Sequence, residues 1–175
     1  PGLIAAVEAL PYVKGVLKAT SAGEPAKQDA KFEEDLSFDY GQGTRQAEMI
    51  NVHLLHDQGF RGQGKVIAVL DAGFAGTDTI PVFDSLRAQG GILGACNIVD
   101  PGASVYGWHP HGTMVLSVMA SNLPGQLVGT APEASYWLVR TEDGTSENLV
   151  EEYYWVAGAA FADSVGADVI NSSLG

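Results

Sequence analysis

The chain has 175 residues and a formal net charge of −12, with 22 glycines, 8 prolines and 1 cysteine. A chain of this length buries roughly 70% of its extended surface, which is enough for one domain with a substantial core. Hydrophobic residues make up 46% and charged residues 17%, a balance that excludes an intrinsically disordered chain. The lone Cys96 excludes an intrachain disulfide and a multi-cysteine metal site. No apolar run approaches the length of about 18 residues that a membrane span needs.

The negative charge is concentrated in the second part of the chain. Residues 1–65 carry nine acidic and seven basic side chains, whereas residues 66–175 carry twelve acidic side chains and only Arg87 and Arg140 as bases. An acidic, solvent-exposed surface explains this distribution, and an acidic cleft that attracts cationic ligands is the functional alternative. Both interpretations disfavour a nucleic-acid partner, because its phosphates would be repelled.

Apolar periodicity and turn residues predict an alternation of strands and helices. Lys65 to Leu70 (KVIAVL) is a continuous apolar run rich in β-branched residues, typical of a strand buried on both faces. Asn51 is predicted to cap the helix that follows it, and Gly59 to end that helix. In chain order, the predicted elements are helix 3–10, strand 13–19, helix 52–58, strand 65–70, helix 82–89, strand 92–99, helix 111–120, strand 135–140, helix 147–165 and strand 168–171. This order predicts an α/β fold with a parallel sheet flanked by helices, whose functional crevice lies beyond the carboxyl ends of the strands.

The first 39 residues differ in composition from the remainder. Residues 1–19 hold a predicted helix, ended by Pro11, and a short strand. Residues 20–39 lose apolar content and carry Ser, Gly, Pro and mixed charges, which is typical of a linker. We therefore expect a small N-terminal unit over 1–19, a linker over 20–39 and the main domain over 40–175.

Asp71 follows directly after the predicted strand 65–70 and precedes Ala72 and Gly73. A carboxylate at this point is held rigidly by the strand and is partly withdrawn from water. A turn or helix-capping aspartate is the plain structural interpretation. A phosphate-accepting aspartate of the haloacid-dehalogenase type is another, although that chemistry wants a second Asp at the position of Gly73.

The segment HPHGT over 109–113 opens a predicted helix. A helix N-terminus disfavours a nearby cation, so it favours a neutral His111 imidazole that can act as a base. Gly112 and Thr113 are small and allow a neighbouring segment to approach closely. The alternatives are a histidine at a helix cap, and a zinc site shared with His109, for which the sequence offers no third ligand.

A third feature is the segment GADVINSSLG over 166–175. A strand that ends in small residues leaves its backbone N–H and C=O groups free, and such an edge can pair with an extended peptide. An ordinary buried strand followed by a glycine turn is the alternative.

In their order along the chain, these three segments resemble the motifs of the subtilases, the subtilisin-like serine peptidases. Asp71 in VIAVLDAG is similar to the Asp motif of that family, His111 in HGTMV to its His motif, and DVINSSLG to the strand lining its primary specificity pocket. GTAPEASYWLVRTEDG resembles another strand of the family and the substrate-binding loop after it. The resemblance covers 40–175 and is strongest to secreted subtilases of Bacteroidetes-type bacteria. Residues 3–19 resemble the end of a subtilase inhibitory propeptide, so 1–19 is interpreted as a propeptide-like remnant.

The resemblance implies a serine endopeptidase that acts on polypeptides by acyl transfer through an Asp-His-Ser triad. His111 would take the proton of the serine hydroxyl and pass it to the leaving amine. Asp71 would orient His111 and stabilise its cation. The residues that would bind substrate backbone on the two rims of the cleft are Asp143, Ser173, Leu174 and Gly175.

This chemistry requires no metal and no cofactor. Calcium is common in the family, but the sequence shows no compact loop of oxygen ligands, so structural calcium stays open. In VRTEDG, Glu142 and Asp143 resemble acids that favour basic substrates in the kexin-like branch of the family. Solvated turn acids are the plainer interpretation of the same pair.

The chain departs from the family pattern in several places. Ala72 stands where Ser or Thr is usual, and Met114 where a second His is common. No catalytic serine motif and no oxyanion-hole asparagine follow the SSLG segment. The GTS triplet at 144–146 precedes that segment, so Ser146 is rejected as the nucleophile.

We therefore expect Gly175 to mark a cut or truncation, and a second chain to supply the serine and the oxyanion-hole asparagine. A non-catalytic pseudo-peptidase or peptide-binding fragment is the alternative, and a metal hydrolase built on His109 and His111 is a third interpretation. The resemblance implies a secreted or cell-surface location in a bacterium. Neither a membrane nor a nucleic acid is expected as a partner.

Overall fold

A computed structural model describes residues 38–145 and 148–173 of the chain. The predicted elements at 3–10 and 13–19 and the predicted site residues Leu174 and Gly175 lie outside these residues. The helices are α1 (Thr44–Met49), α2 (Val52–Asp57), α3 (Asp84–Ala88), α4 (His111–Ala120) and α5 (Val150–Ser164). The strands are β1 (Val66–Asp71), β2 (Ile92–Asn97), β3 (Asn122–Leu123), β4 (Leu127–Val128), β5 (Ser135–Arg140) and β6 (Val169–Ser172). Two short 3-10 helices span Pro81–Phe83 and Val105–Gly107.

Four strands form the main sheet in the order β2-β5-β1-β6, and every neighbouring pair is parallel. The central strand β1 is buried along nearly its whole length, as its apolar run predicts. In the pairing with β5, Asp71 stands opposite Arg140, so both residues lie at the same carboxyl edge of the sheet. The α/β fold with a parallel sheet flanked by helices, predicted from the sequence, is confirmed.

The two faces of β1 belong to two separate apolar cores. Ile67 and Val69 pack on one face with Leu116 of α4, whereas Ala68 and Leu70 pack on the other face with Ala162 of α5. The alternation follows from the two-residue period of a strand. Helices α4 and α5 therefore cover opposite faces of the sheet, and α4 brings its first residue to the carboxyl edge.

The observed element boundaries lie close to the predicted ones, with physical differences at the helix starts. Strand β5 and helix α4 have the predicted limits. Asn51 makes no side-chain cap to α2 and instead takes a left-handed conformation with φ 57°, so the predicted capping role is wrong. Gly59 follows the helix with φ 88° and donates its N–H to His56 O, as a C-terminal stop does. The predicted helix 82–89 begins as the 3-10 turn after Pro81 and becomes α3 at Asp84.

Helix α1, the hairpin β3–β4 and the 3-10 helix Val105–Gly107 have no counterpart among the predictions. Helix α1 precedes α2, and the two-stranded antiparallel hairpin β3–β4 follows α4. The hairpin turns through Pro124 and Gly125, with φ 81° at Gly125 and a bond from Gln126 N–H to Leu123 O. A Pro-Gly pair between apolar residues is a turn signal that the sequence carried.

Strand β6 pairs with β1 on one side, and no other described strand pairs with its second edge. Its side chains Val169 and Ile170 are 52% and 39% exposed. On the neighbouring helix α5, Tyr153 and Val156 are exposed as well. Among the described residues, no helix is both long enough and apolar enough to cross a lipid bilayer.

Candidate active site

Asp71 is the last residue of β1, and its side chain is fully buried at the carboxyl edge of the sheet. Its Oδ1 accepts the backbone N–H of Ala72 at 2.8 Å, and its own carbonyl accepts the N–H of Thr141 at 3.0 Å. Burial raises the pKa of the Asp71 carboxyl above its ordinary value, while hydrogen bonds from His111 and Ala72 oppose that rise. The backbone of β1 and β5 thus fixes a carboxylate that is shielded from water.

His111 is the first residue of α4 and faces this carboxylate. Its Nδ1 lies 2.9 Å from Asp71 Oδ1 and 3.1 Å from Oδ2. Because a carboxylate accepts, Nδ1 carries the proton of this bond, and Nε2 of the neutral ring keeps its lone pair. The His111 side chain is 38% exposed, so the ring is anchored on the Asp71 side and accessible elsewhere.

Helix α4 reaches Asp71 because small residues allow close backbone contact. The N–H of Gly112 donates to Gly73 O at 3.0 Å. A Cβ placed on Gly112 would lie 2.5 Å from that oxygen and 3.0 Å from the Cβ of Asp71. Thr113 Oγ1 donates to Ala75 O at 2.9 Å and accepts from Thr77 Oγ1 at 2.9 Å. These contacts tie the first turn of α4 to the segment after β1, as the small residues at 112 and 113 predicted.

His109 lies beside His111, but the two rings are not arranged as ligands of one metal ion. The two rings are 6.3 Å apart between centroids, and His109 Nδ1 accepts the backbone N–H of His111 at 3.2 Å. The Nδ1 of His111 is directed at Asp71. Over 38–145 and 148–173, no three His, Cys, Asp or Glu side chains are grouped as metal ligands.

Asp143 and Ser173 are the two predicted substrate-binding residues that the structure describes, and they lie on two segments near this edge. Ser172 pairs with Leu70, so Ser173 follows at the level where β1 ends, and Ser173 Oγ donates to Asn171 Oδ1 at 3.3 Å. Asp143 lies beyond β5, and its carboxylate accepts the hydroxyl of Thr145 at 2.9 Å in a local turn.

Helix α5 contacts both of these segments, a feature that the sequence reasoning missed. Glu151 Oε1 accepts the N–H of Asp143 at 3.1 Å, and the indole N–H of Trp155 donates to Ser172 Oγ at 2.8 Å. Glu151 and Trp155 are four residues apart and so share one face of the helix. That spacing was present in the sequence, but it does not by itself show which segments the helix face meets.

Arg140 at the end of β5 was likewise not singled out as a site residue. It is 2% exposed, although it is one of the two bases in residues 66–175. The sequence does place a cationic side chain at the last position of a buried strand. Because arginine is rarely buried without a partner, this position could have indicated a role at the site.

Comparison with known proteins gives a consistent result. A profile of the subtilase family matches residues 62–175. Subtilisin E of Bacillus subtilis (strain 168) is 30% identical over 147 residues, covering 82% of this chain and 35% of that protein. The major intracellular serine protease of the same strain is 33% identical over 124 residues, covering 67% of this chain and 36% of that protein.

The crystal structure of MycP1 with the N-terminal propeptide removed shares the fold, with a TM-score of 0.51 at 21% identity. The alignment covers 71% of this chain and 36% of the MycP1 chain. The chain thus spans little more than a third of the length of the relatives that it matches. The family profile, which matches more than half of the chain, and the similar sequences show that this chain belongs to the subtilase family.

Proposed function

We propose that the protein is a serine endopeptidase in which this chain supplies Asp71 and His111 of an Asp-His-Ser triad. The observation that carries the proposal is the 2.9 Å bond between His111 Nδ1 and a fully buried Asp71 carboxylate. Membership of the subtilase family supports the same assignment. Because Nδ1 is bound to the carboxylate, Nε2 of His111 is the nitrogen available to a nucleophile.

In the proposed reaction, a serine hydroxyl gives its proton to His111 Nε2 as its oxygen attacks the peptide carbonyl. The tetrahedral intermediate then collapses, the C–N bond breaks, and His111 returns the proton to the leaving amine. Water repeats the sequence on the acyl-enzyme, with His111 again as base and acid. Asp71 holds the ring in the correct tautomer and stabilises the imidazolium that forms in each half.

The serine and the oxyanion-hole donor are proposed to come from polypeptide that follows the SSLG segment in the family, either a C-terminal part or a second chain. The edge of β6 that no described strand pairs with, and the exposed Val169, Ile170, Tyr153 and Val156, provide a sheet edge and an apolar surface for such a part.

The substrate is proposed to be a polypeptide bound in extended form between two backbone segments. Ser173, Leu174 and Gly175 form one of them, and the segment that starts at Asp143 forms the other. Backbone pairing with an extended peptide binds many sequences, and the side-chain pockets then select among them. The bonds of Glu151 to Asp143 N–H and of Trp155 to Ser172, the residue before Ser173, support this arrangement, because one helix contacts both regions.

Secretion from a bacterial cell, as in Bacteroidetes-type subtilases, and a propeptide remnant at 1–19 are part of the proposal and rest on the sequence resemblance. A similar protein bears the name major intracellular serine protease, so the compartment needs a direct test. Activity and antigen confined to the culture medium are expected, and retention of both inside washed cells contradicts secretion.

The proposed activity is tested on the protein purified from its natural source with any polypeptide that accompanies it. A fluorophosphonate probe should label a serine in that material, and hydrolysis of casein should fall by about 10⁴-fold or more in His111→Ala. His53→Ala is the matched control, because His53 lies on α2 outside the site. Absence of both labelling and hydrolysis in the wild type contradicts the peptidase and indicates a non-catalytic, peptide-binding module.

A further inference from the structure

Arg140 is a buried cation on β5, the strand that pairs with the Asp71-bearing strand β1. It ends β5, where it stands opposite Asp71 of β1 on one side and Asn97 of β2 on the other. Burial lowers the pKa of its guanidinium, with Asp143 and Asp100 acting in the opposite direction. Arginine stays charged under such conditions, because its pKa begins far above neutrality.

The guanidinium makes two specific contacts at this edge. Its Nε donates to Ala72 O at 3.0 Å, and its central carbon lies 3.9 Å from the centroid of the Trp108 ring. A planar cation over an indole face is a favourable cation–π arrangement, which is stronger away from water. Arg140 therefore holds one residue just after β1 and another just before α4.

Both contacted residues are directly connected to the candidate catalytic pair. The N–H of Ala72 donates to Asp71 Oδ1, so the backbone of Ala72 is held by the carboxylate on one side and by Arg140 on the other. Trp108 precedes His111 by three residues and packs tightly on Gly73, where an added Cβ would lie 2.7 Å from the Trp108 Cβ. A shift of either residue moves the segment that carries one member of the pair.

We infer that Arg140 is a positioning residue, which fixes the Asp71–His111 geometry by clamping Ala72 and Trp108 together. This inference rests on the proposed function for its activity test alone. Within the described residues, Arg140 makes no hydrogen bond to the Asp71 carboxylate or to the His111 ring. It acts through backbone and aromatic contacts, and both require the planar, forked guanidinium.

A buried Nη1 that finds no hydrogen-bond partner among the described residues supports this interpretation. Burying a cation with an unsatisfied donor is unfavourable for folding, since the lost hydration is not replaced. Such an unpaired donor is not expected at a residue that serves stability alone. Unfavourable local features of this kind are expected where function requires them.

The test uses Arg140→Lys, which keeps the charge but lacks both the Nε donor and the planar group. We expect kcat to fall on the order of tenfold to a hundredfold with little change in KM, as for a misplaced catalytic group. Arg61→Lys is the matched control, because Arg61 also lies over an aromatic ring, that of Phe38, and bonds to His56 O and Glu133, away from the pair. Its kcat should equal that of the wild type.

A spectroscopic readout makes the test independent of activity. The proton on His111 Nδ1 gives a far-downfield NMR resonance when it is held by Asp71, and Arg140→Lys should broaden that signal or move it upfield. Trp108→Leu should change the resonance and lower kcat in the same direction. The double variant with Arg140→Lys should lose less activity than the sum of the two separate losses in activation free energy.

Wild-type kcat and an unchanged His111 resonance in Arg140→Lys overturn the inference. If that variant does not fold, Arg140→Met replaces it, and failure of both to fold assigns Arg140 to stability and also overturns the inference. An inactive wild type contradicts the proposed peptidase activity but not the positioning role of Arg140. In that case the His111 resonance in Arg140→Lys tests the positioning role alone.

Discussion

The close contact between α4 and the segment after β1 makes Gly112→Ala a direct test of how the site is assembled. The new Cβ would lie 2.5 Å from Gly73 O, 2.8 Å from the Phe74 ring and 3.0 Å from Asp71 Cβ. Ordinary van der Waals contact begins near 3.4 Å, so α4 must withdraw by about 0.9 Å from the Gly73 carbonyl. Two of the three obstructing atoms belong to the backbone or lie next to it, so side-chain rotation relieves little of the overlap.

Two effects of opposite sign decide the expected magnitude. Alanine in place of glycine favours a helix by up to about 1 kcal/mol. Overpacking in a close-packed region destabilises by about 1–3 kcal/mol, and here it also stretches the bond from Gly112 N–H to Gly73 O. We therefore expect a net loss of about 1–2 kcal/mol in the free energy of unfolding, which lowers Tm by roughly 2–8 °C for a chain of this size.

The assay is thermal and urea unfolding of the full chain, with Gly107→Ala as the matched control. A Cβ on Gly107 meets no atom within 4 Å, so its Tm should stay within about 1 °C of the wild type. The Gly112 variant should also weaken peptide hydrolysis by about a hundredfold, because a displacement near 1 Å separates His111 from Asp71. An unchanged or raised Tm in Gly112→Ala would show that helix propensity outweighs the close contact, contrary to this prediction.

The remaining predictions concern individual polar groups. Burial raises the pKa of Asp71 in the folded protein above its ordinary value of 3.8. Protonated Asp71 therefore favours the folded state, and this contribution to stability is lost as pH rises through the folded pKa. The free energy of unfolding of Asp71→Asn, measured by urea titration relative to the wild type, should therefore increase between pH 3 and pH 7. A difference that stays constant or falls over this range contradicts the prediction. The Val66 N–H and Lys65 lower the pKa of Asp168, so Asp168→Asn should be destabilising near neutrality, and in urea titrations its effect should be lost as pH falls through the lowered pKa of the folded state. Tyr40→Phe removes the donor to the buried Nδ1 of His56 and should lower the unfolding free energy by about 1–3 kcal/mol, and an unchanged urea midpoint would contradict it.

Local patterns in the sequence were sufficient to predict the α/β class and the position of the two residues at the centre of the candidate site. The run KVIAVL predicts a doubly buried strand, and the residue after it must lie at a carboxyl edge, which places Asp71. The small residues at 112 and 113 predicted a close approach, and the structure shows it. These predictions succeed because they depend on local periodicity and residue size, which the sequence carries directly.

The side chains that surround that pair could not be predicted from local patterns and became evident from the folded structure. Arg140 and Trp108 are 32 positions apart in the chain, and their stacking follows from the order β2-β5-β1-β6, which no local pattern specifies. The contacts of Glu151 and Trp155 with the segments at Asp143 and Ser172 have the same origin. Strand order and the approach of helices across a sheet depend on the summed packing of distant residues, so they become visible only once the chain has folded.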